Sequence, residues 1–281
     1  MPRPPPRIAG APLLAAALCL AGFGRCATPV TNDYPSGPWQ LVWSDEFDGP
    51  TGQSPDAASW TYDVGGSGWG NNQLEFDTAR PENVSLDGNG HLAIVARQEQ
   101  YQGNDYTSAR IKTQGLGEWT YGRFEASIQL PVGQGIWPAF WLLGADISSV
   151  GWPSCGEVDI MEYRGQTPLM VQGSLHGPGY SGGRAIWSQK YLPGPAGYDD
   201  GFHVFAVDWD PGVIRWEVDG TVYLTVDRTR LPAGSTWAFD HPFFVILNVA
   251  VGGGFVGSPD GTTVFPQTML VDYVRVYQRG P

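Results

Sequence analysis

Cysteine, lysine and long apolar runs are scarce in this 281-residue chain, and each shortage excludes something. Of three cysteines, Cys19 and Cys26 lie in or beside an N-terminal apolar stretch, which leaves Cys155 alone in the body of the chain. A lone cysteine builds no disulfide framework. Cys155 stands two residues before Glu157, yet no histidine pairing accompanies it, so it reads as a small buried packing residue and not as a thiol nucleophile. The only lysines are Lys112 and Lys190; with 16 basic against 28 acidic residues the formal charge is −12. Nucleic acids and anionic membranes are thereby disfavoured as partners, because both are held by basic side chains. Acidity of this degree also serves solubility.

One apolar run does occur near the start. Arg3 and Arg7 precede IAGAPLLAAALCLAGFG, which is too short to span a bilayer comfortably and suits the core of a signal peptide. Residues 1–27 are therefore expected to be a signal peptide, cut after Gly24 or Ala27, and the mature chain to be secreted into the extracellular space. Arg25 argues against lipid attachment at Cys26. Residues 28–38, TPVTNDYPSGP, form a short linker of turn-forming residues. A single domain then spans 39–281, with no internal repeat and no second boundary, and it is expected to act as a monomer.

Long amphipathic helices are missing from this domain. Instead, most of the chain's 39 glycines and 24 prolines fall here and punctuate short apolar or alternating runs such as HLAIVA, RFEASIQL, HVFAVDW and FFVILNVAV. The pattern predicts an all-β domain of two stacked antiparallel sheets, some strands buried on both faces and others on one. The clearest hairpin joins VIRWEV to VYLTV through Asp219 and Gly220.

The segment GEVDIMEY places three carboxylates, Glu157, Asp159 and Glu162, in an apolar strand. On a regular strand Glu157 and Asp159 share a face and Glu162 points away. A β-bulge with Ile160 or Met161 as the inserted residue restores Glu162 to that face. Two carboxylates on either side of a third acid are the equipment for cleaving a glycosidic bond. The middle acid raises its neighbours' proton affinity and can orient the nucleophile. Twelve tryptophans add flat surfaces suited to sugar rings. The candidates are Trp69, Trp119, Trp137 and Trp141, the last two sharing a strand face.

The ordered strings WSDEFDG, GWGNNQLEF, YGRFEA, GIWPAFWLLG, GEVDIME, HVFAVDWDP, FFVILNVAVGG and VDYVRVY resemble glycoside hydrolase family 16, and within it the bacterial laminarinase-like endo-β-1,3-glucanases. The resemblance covers nearly all of the mature chain. It implies a concanavalin A-like β-jelly roll of two curved antiparallel sheets with a concave cleft that takes a β-glucan substrate. It further implies retention of configuration, with Glu157 as nucleophile, Glu162 as general acid and base, Asp159 as the assisting carboxylate, and carboxyl groups roughly 5 to 5.5 Å apart. The five-residue spacing of the glutamates groups the chain with laminarinase-like members; lichenases and xyloglucan transglycosylases lack the extra residue.

By the same resemblance Asn72 (or its neighbour Asn71), Arg110, Trp137, Trp141, His176 and Asn248 contact the glucan, with His176 near the leaving-group side of the acid/base. No cofactor is expected for catalysis. A structural Ca²⁺ is implied at Glu46, the carbonyl of Gly90 and Asp272, oxygen donors that suit a hard cation. Other readings of the same scaffold are action on mixed-linkage glucan or an agar-type galactan, transglycosylation, or non-catalytic glucan binding. The three acids, all present, favour hydrolysis.

Overall fold

Leu92–Tyr101 shows how the sequence becomes sheet: Leu92, Ile94 and Ala96 are buried while the residues between them are partly exposed, the two-residue period of a strand with one face inward. The computed structural model describes residues 34–281; the predicted signal peptide, Cys19, Cys26 and most of the linker lie outside the described residues. Over Pro35–Pro281 the chain forms two facing sheets. The seven-stranded sheet runs, in spatial order, Ile186–Tyr191, Met170–His176, Glu157–Tyr163, Ile136–Gly144, Phe243–Val251, Arg110–Lys112 and Thr61–Asp63. The ten-stranded sheet follows the path Thr221–Asp227, Val213–Val218, His203–Asp210, Gly122–Gln129, Gln267–Arg279, Leu92–Tyr101, Asn104–Ser108 and Glu75–Asp77. Trp39–Asp45 pairs with Gln267–Arg279, and Val84–Leu86 with Leu92–Tyr101. All pairings are antiparallel except that of Glu75–Asp77 with Asn104–Ser108. This is the expected jelly roll.

Helix is confined, among the described residues, to Ile147–Val150 and two 3₁₀ turns. The Asp219–Gly220 hairpin is present as a two-residue connection with φ of 49° and 71°. Two left-handed residues make it a type I′ turn, whose twist matches that of the strands it joins.

The core lies between the sheets. Phe140, Leu142, Val245, Leu247 and Val249 of the smaller sheet meet Phe124, Ile128, Phe205 and Trp209 of the larger in one buried cluster. Phe243–Val251 is buried along its whole length, which explains why its sequence is almost uniformly apolar.

One contact across this core reaches the predicted bulge. Along Glu157–Tyr163, Asp159 pairs with Trp141 and Met161 with Phe140, so Ile160 is the residue without an opposite number on that side. On the other side Asp159 pairs with Ser174 and Glu162 with Gln172, three steps against two. Trp216, fully buried in the opposite sheet, donates its indole N–H to the carbonyl oxygen of Asp159 at 2.8 Å. Gly173 makes room for it: a Cβ there would lie 2.5 Å from Trp216 Cδ1 and 2.5 Å from the Tyr223 hydroxyl. An unpaired buried carbonyl costs about 1–3 kcal/mol. Trp216→Phe, which keeps the ring and loses the donor, is therefore expected to lower the Tm by several degrees in a thermal melt, at about 2–4 °C per kcal/mol for a domain of this size, and to lower kcat as well.

Candidate active site

The outward face of the seven-stranded sheet carries a cleft of about 760 Å³. Strand register sets its floor in rows. One row runs Asp63, Arg110, Asn248, Ala139, Glu162, Gln172, Gln189 across all seven strands. The next runs Thr61, Lys112, Ile246, Trp141, Asp159, Ser174, Trp187. A third pairs Leu143, Glu157 and His176. The bulge thus returns Glu162 to the face of Glu157 and Asp159, and all three carboxylates line the cleft.

Each acid has distinct partners. Glu162 Oε2 accepts a hydrogen bond from Ser174 Oγ at 2.9 Å, and Gln172 Nε2 donates to that serine at 3.2 Å. Asp159 Oδ2 lies 3.1 Å from His176 Nε2, and Glu157 Oε1 lies 3.7 Å from the same nitrogen. Glu157 Oε2 accepts from the indole N–H of Trp152 at 2.9 Å. Gly182 N–H points at His176 Nδ1 at 3.1 Å. His176 therefore stands beside Asp159 and Glu157, with Glu162 within reach of its charge.

Burial without full pairing sets the proton affinities. Glu162 is pushed up to about 8, first by burial and then by the charge of Asp159. Asp159 rises to about 6 through burial and the charge of Glu157. Glu157 is raised chiefly by burial, with His176 and the Trp152 hydrogen bond acting against the shift. Burial opposes the charged form of His176, but Asp159, Glu157 and Glu162 outweigh it and raise the ring to about 9. The Gly182 contact works the other way, because Nδ1 accepts only when unprotonated. In either state Nε2 is the ring nitrogen that faces Asp159, at 3.1 Å from Oδ2.

The aromatic wall lies on the far side of the acids. Arg110 is sandwiched between Trp69 and Trp141, at 5.0 and 4.7 Å from the ring centroids, and is tied to Asp63 at 2.9 Å. Trp141 Nε1 donates to Asn248 Oδ1 at 2.8 Å, which supplies the partner this buried amide needs. Trp137 and Trp141 share the cleft face as their spacing implied, and Trp137 Nε1 has no protein partner.

Two expectations need correction. Trp119 lies away from the cleft, packed on Trp43 at 5.3 Å and Phe124 at 6.0 Å between centroids. Asn71 lines the cleft, whereas Asn72 is an exposed turn residue at φ 58°, a conformation that asparagine tolerates. Ser174, Gln172, Trp152, Trp187 and Gln189 are cleft residues that the sequence reading missed. Gln172, Ser174 and His176 alternate along one strand, so counting back by twos from His176 signals the first pair. Trp152 sits in a loop and carries no such signal.

For metals, Glu157, Asp159 and His176 form the one group of three among the described residues with ligand atoms within 4.8 Å of one another. These atoms are engaged by Trp152 and by the Asp159–His176 ion pair, which is the arrangement of an acid–base site. At the expected calcium position, Glu46 receives both Nε and Nη2 of Arg275, at 3.0 and 2.7 Å. Register places Glu46 one residue beyond the Asp45–Val274 pair and Gly90 two before the Leu92–Val271 pair. The two residues therefore flank the segment carrying Asp272. Cys155 is buried and its thiol is pushed up to about 11 by burial, which agrees with an unreactive packing role.

The model of the family described as "Glycosyl hydrolases family 16" matches residues 69–275. A beta-glucanase of Rhodothermus marinus is 45% identical over 248 residues, covering 85% of each chain. The catalytic domain of an endo-1,3-beta-glucanase (laminarinase) from Thermotoga petrophila has a TM-score of 0.83 at 47% identity, covering 87% of this chain and 100% of its own. The endo-beta-1,3-glucanase of Pyrococcus furiosus has a TM-score of 0.81 at 46% identity, covering 85% and 94%.

An acid held protonated up to about pH 8 beside a carboxylate that must be ionised predicts a bell-shaped rate profile. Rate is lost as pH rises through the Glu162 titration, because the proton donor is gone. It is lost as pH falls because Glu157 becomes protonated. Both apparent values belong to the coupled cluster. In a kcat/KM profile, Glu162→Gln is expected to abolish the alkaline limb.

Proposed function

This chain belongs to glycosyl hydrolases family 16, in which it hydrolyses internal β-1,3-glucosidic bonds of glucan, and we propose that it does so by a retaining double displacement run by Glu157 and Glu162. The observation that carries this reading is the bulge that sets an ionisable pair with unequal partners on one face of the cleft. Glu157, hydrogen-bonded by Trp152, is the carboxylate at the anomeric carbon; Glu162, held neutral by burial, protonates the departing oxygen. In the second half Glu162 takes a proton from the incoming water and the glycosyl-enzyme bond breaks. Asp159 orders the pair: its charge raises Glu162 and its contact with His176 fixes the ring.

The Arg110–Trp69–Trp141 wall and the free Nε1 of Trp137 supply stacking faces and a donor for the glucan. The N-terminal segment suits export to where such polymers are found. Ca²⁺ at Glu46, Gly90 and Asp272 is a further part of this proposal. The oxygen donors suit a hard cation, which would compete with Arg275 for Glu46 and tie the first and last strands together.

Proton NMR of the anomeric region during laminarin hydrolysis is expected to show the β-anomer first, followed by mutarotation. An early α-anomer would remove Glu157 from its role. Glu157→Gln should abolish turnover, and Glu162→Gln should lower kcat about 10²- to 10⁴-fold. Calcium added to chelator-treated protein is expected to raise the Tm by a few degrees through binding to the folded state alone, as read by calorimetry.

A further inference from the structure

The loop between Ile136–Gly144 and Glu157–Tyr163 is pinned at both feet. Ala145 N–H donates to Pro242 O at 2.9 Å, Gly144 N–H to Gly156 O at 3.2 Å, and Cys155 N–H to Gly151 O at 3.0 Å, while Cys155 itself is fully buried. Gly144 admits this approach because a Cβ there would lie 1.9 Å from Cys155 O. At the loop's apex Trp152 remains 48% exposed, an unusual place for an indole. Its N–H nevertheless points inward to Oε2 of Glu157, and its ring centroid lies 6.0 Å from that of His176. The two oxygens of Glu157 are thus unequal: Oε2 is tethered, and Oε1 faces His176 Nε2 at 3.7 Å, beyond hydrogen-bonding distance.

We propose that Trp152 is a positioning residue for the nucleophile, selecting Oε1 as the attacking oxygen and staying on Oε2 throughout the reaction. The inference rests on the reading of Glu157 as nucleophile. In the first step Oε1 bonds to the anomeric carbon as the bond to the leaving oxygen breaks and the proton of Glu162 passes to that oxygen. Oε2 becomes the carbonyl oxygen of the glycosyl ester, still accepting from the indole. In the second step water attacks the anomeric carbon and its proton goes to Glu162. The electron pair of the breaking bond returns to the carboxylate, where the Trp152 N–H stabilises the charge on Oε2. Both half-reactions use the same donor, because both develop or consume charge on one carboxylate.

Trp152→Phe keeps a ring in the loop and removes the donor. Its kcat on laminarin is expected to fall about ten- to a hundredfold, the range of a hydrogen bond to a charged group, with KM changed by less than about threefold, as for an interaction that matters in the transition state. The acidic limb of the rate profile should move to higher pH. Glu157 is also faced by His176 from the neighbouring strand, by Arg110 across the cleft, by Asp159 and Glu162 on its own strand and by Cys155 just before it, and none of these changes in the variant. In the unaltered protein the indole N–H resonance missing from Trp152→Phe should titrate along the acidic limb, and it should stay flat in Glu157→Gln. A Trp152→Phe enzyme with kcat within about twofold of the parent and an unmoved acidic limb, or an indole resonance indifferent to pH, overturns the proposal. Should either occur while Glu157→Gln is inactive, the nucleophile reading survives and only the tether falls; an active Glu157→Gln removes both.

Discussion

The site depends on the hydrogen bond from Trp216 to the carbonyl of Asp159. A bulge inserts one residue into a strand and so interrupts the ladder that would otherwise satisfy its backbone. Deep in a sandwich, water cannot make up the loss. Here the opposite sheet supplies an indole, and Gly173 on the adjoining strand leaves the space that the indole needs. Through this one contact the larger sheet takes part in chemistry performed on the far face of the smaller one. It holds the strand in the irregular path that turns Glu162 toward Glu157.

Around the bulge, ordinary strand register does the remaining placement. Each acid faces a polar residue of Met170–His176: Glu157 faces His176, Asp159 faces Ser174 and Glu162 faces Gln172. On the other side the acids face Leu143, Trp141 and Ala139, which shed water and leave room for a sugar. The environment is therefore divided along one strand, with proton-handling groups on one flank and aromatic surface on the other. Like charges confined to such a place cannot all ionise together, so the acids separate into one that keeps its proton and others that lose theirs more readily. Asp159, between the two glutamates, enforces that separation through its charge and carries the histidine that partly offsets it.

A second set of buried acids lies beneath the aromatic end. Glu75 accepts from Val251 N–H at 2.8 Å and is raised to about 7 by burial, while Asp77 is raised by burial and by Glu75. Arg110, whose charge favours ionisation of both, also stacks between Trp69 and Trp141, so the wall of the cleft is backed by an electrostatic network and not by apolar packing alone.

Much of this was open to reading in one dimension. Alternation and turn signals marked the strands, Asp219–Gly220 marked its hairpin, and the spacing of Glu157, Asp159 and Glu162 demanded a bulge, because side-chain parity along a strand is a local property of the chain. The even spacing of Trp137 and Trp141 told of a shared face for the same reason. Other features had no local signature. Trp119 was drawn to the core by Trp43 and Phe124, Asn72 yielded the cleft to Asn71 through a left-handed turn, and Trp152 reached Glu157 from a loop whose path is set by contacts with Pro242 and Cys155. The sequence by itself determined the side-chain parity along each regular strand, and with it the shared face of Glu157 and Asp159. Only the tertiary structure decided which oxygen of Glu157 is tethered, what satisfies the bulge and which indoles meet the substrate, because those depend on segments distant in sequence that packing alone brings within hydrogen-bonding distance.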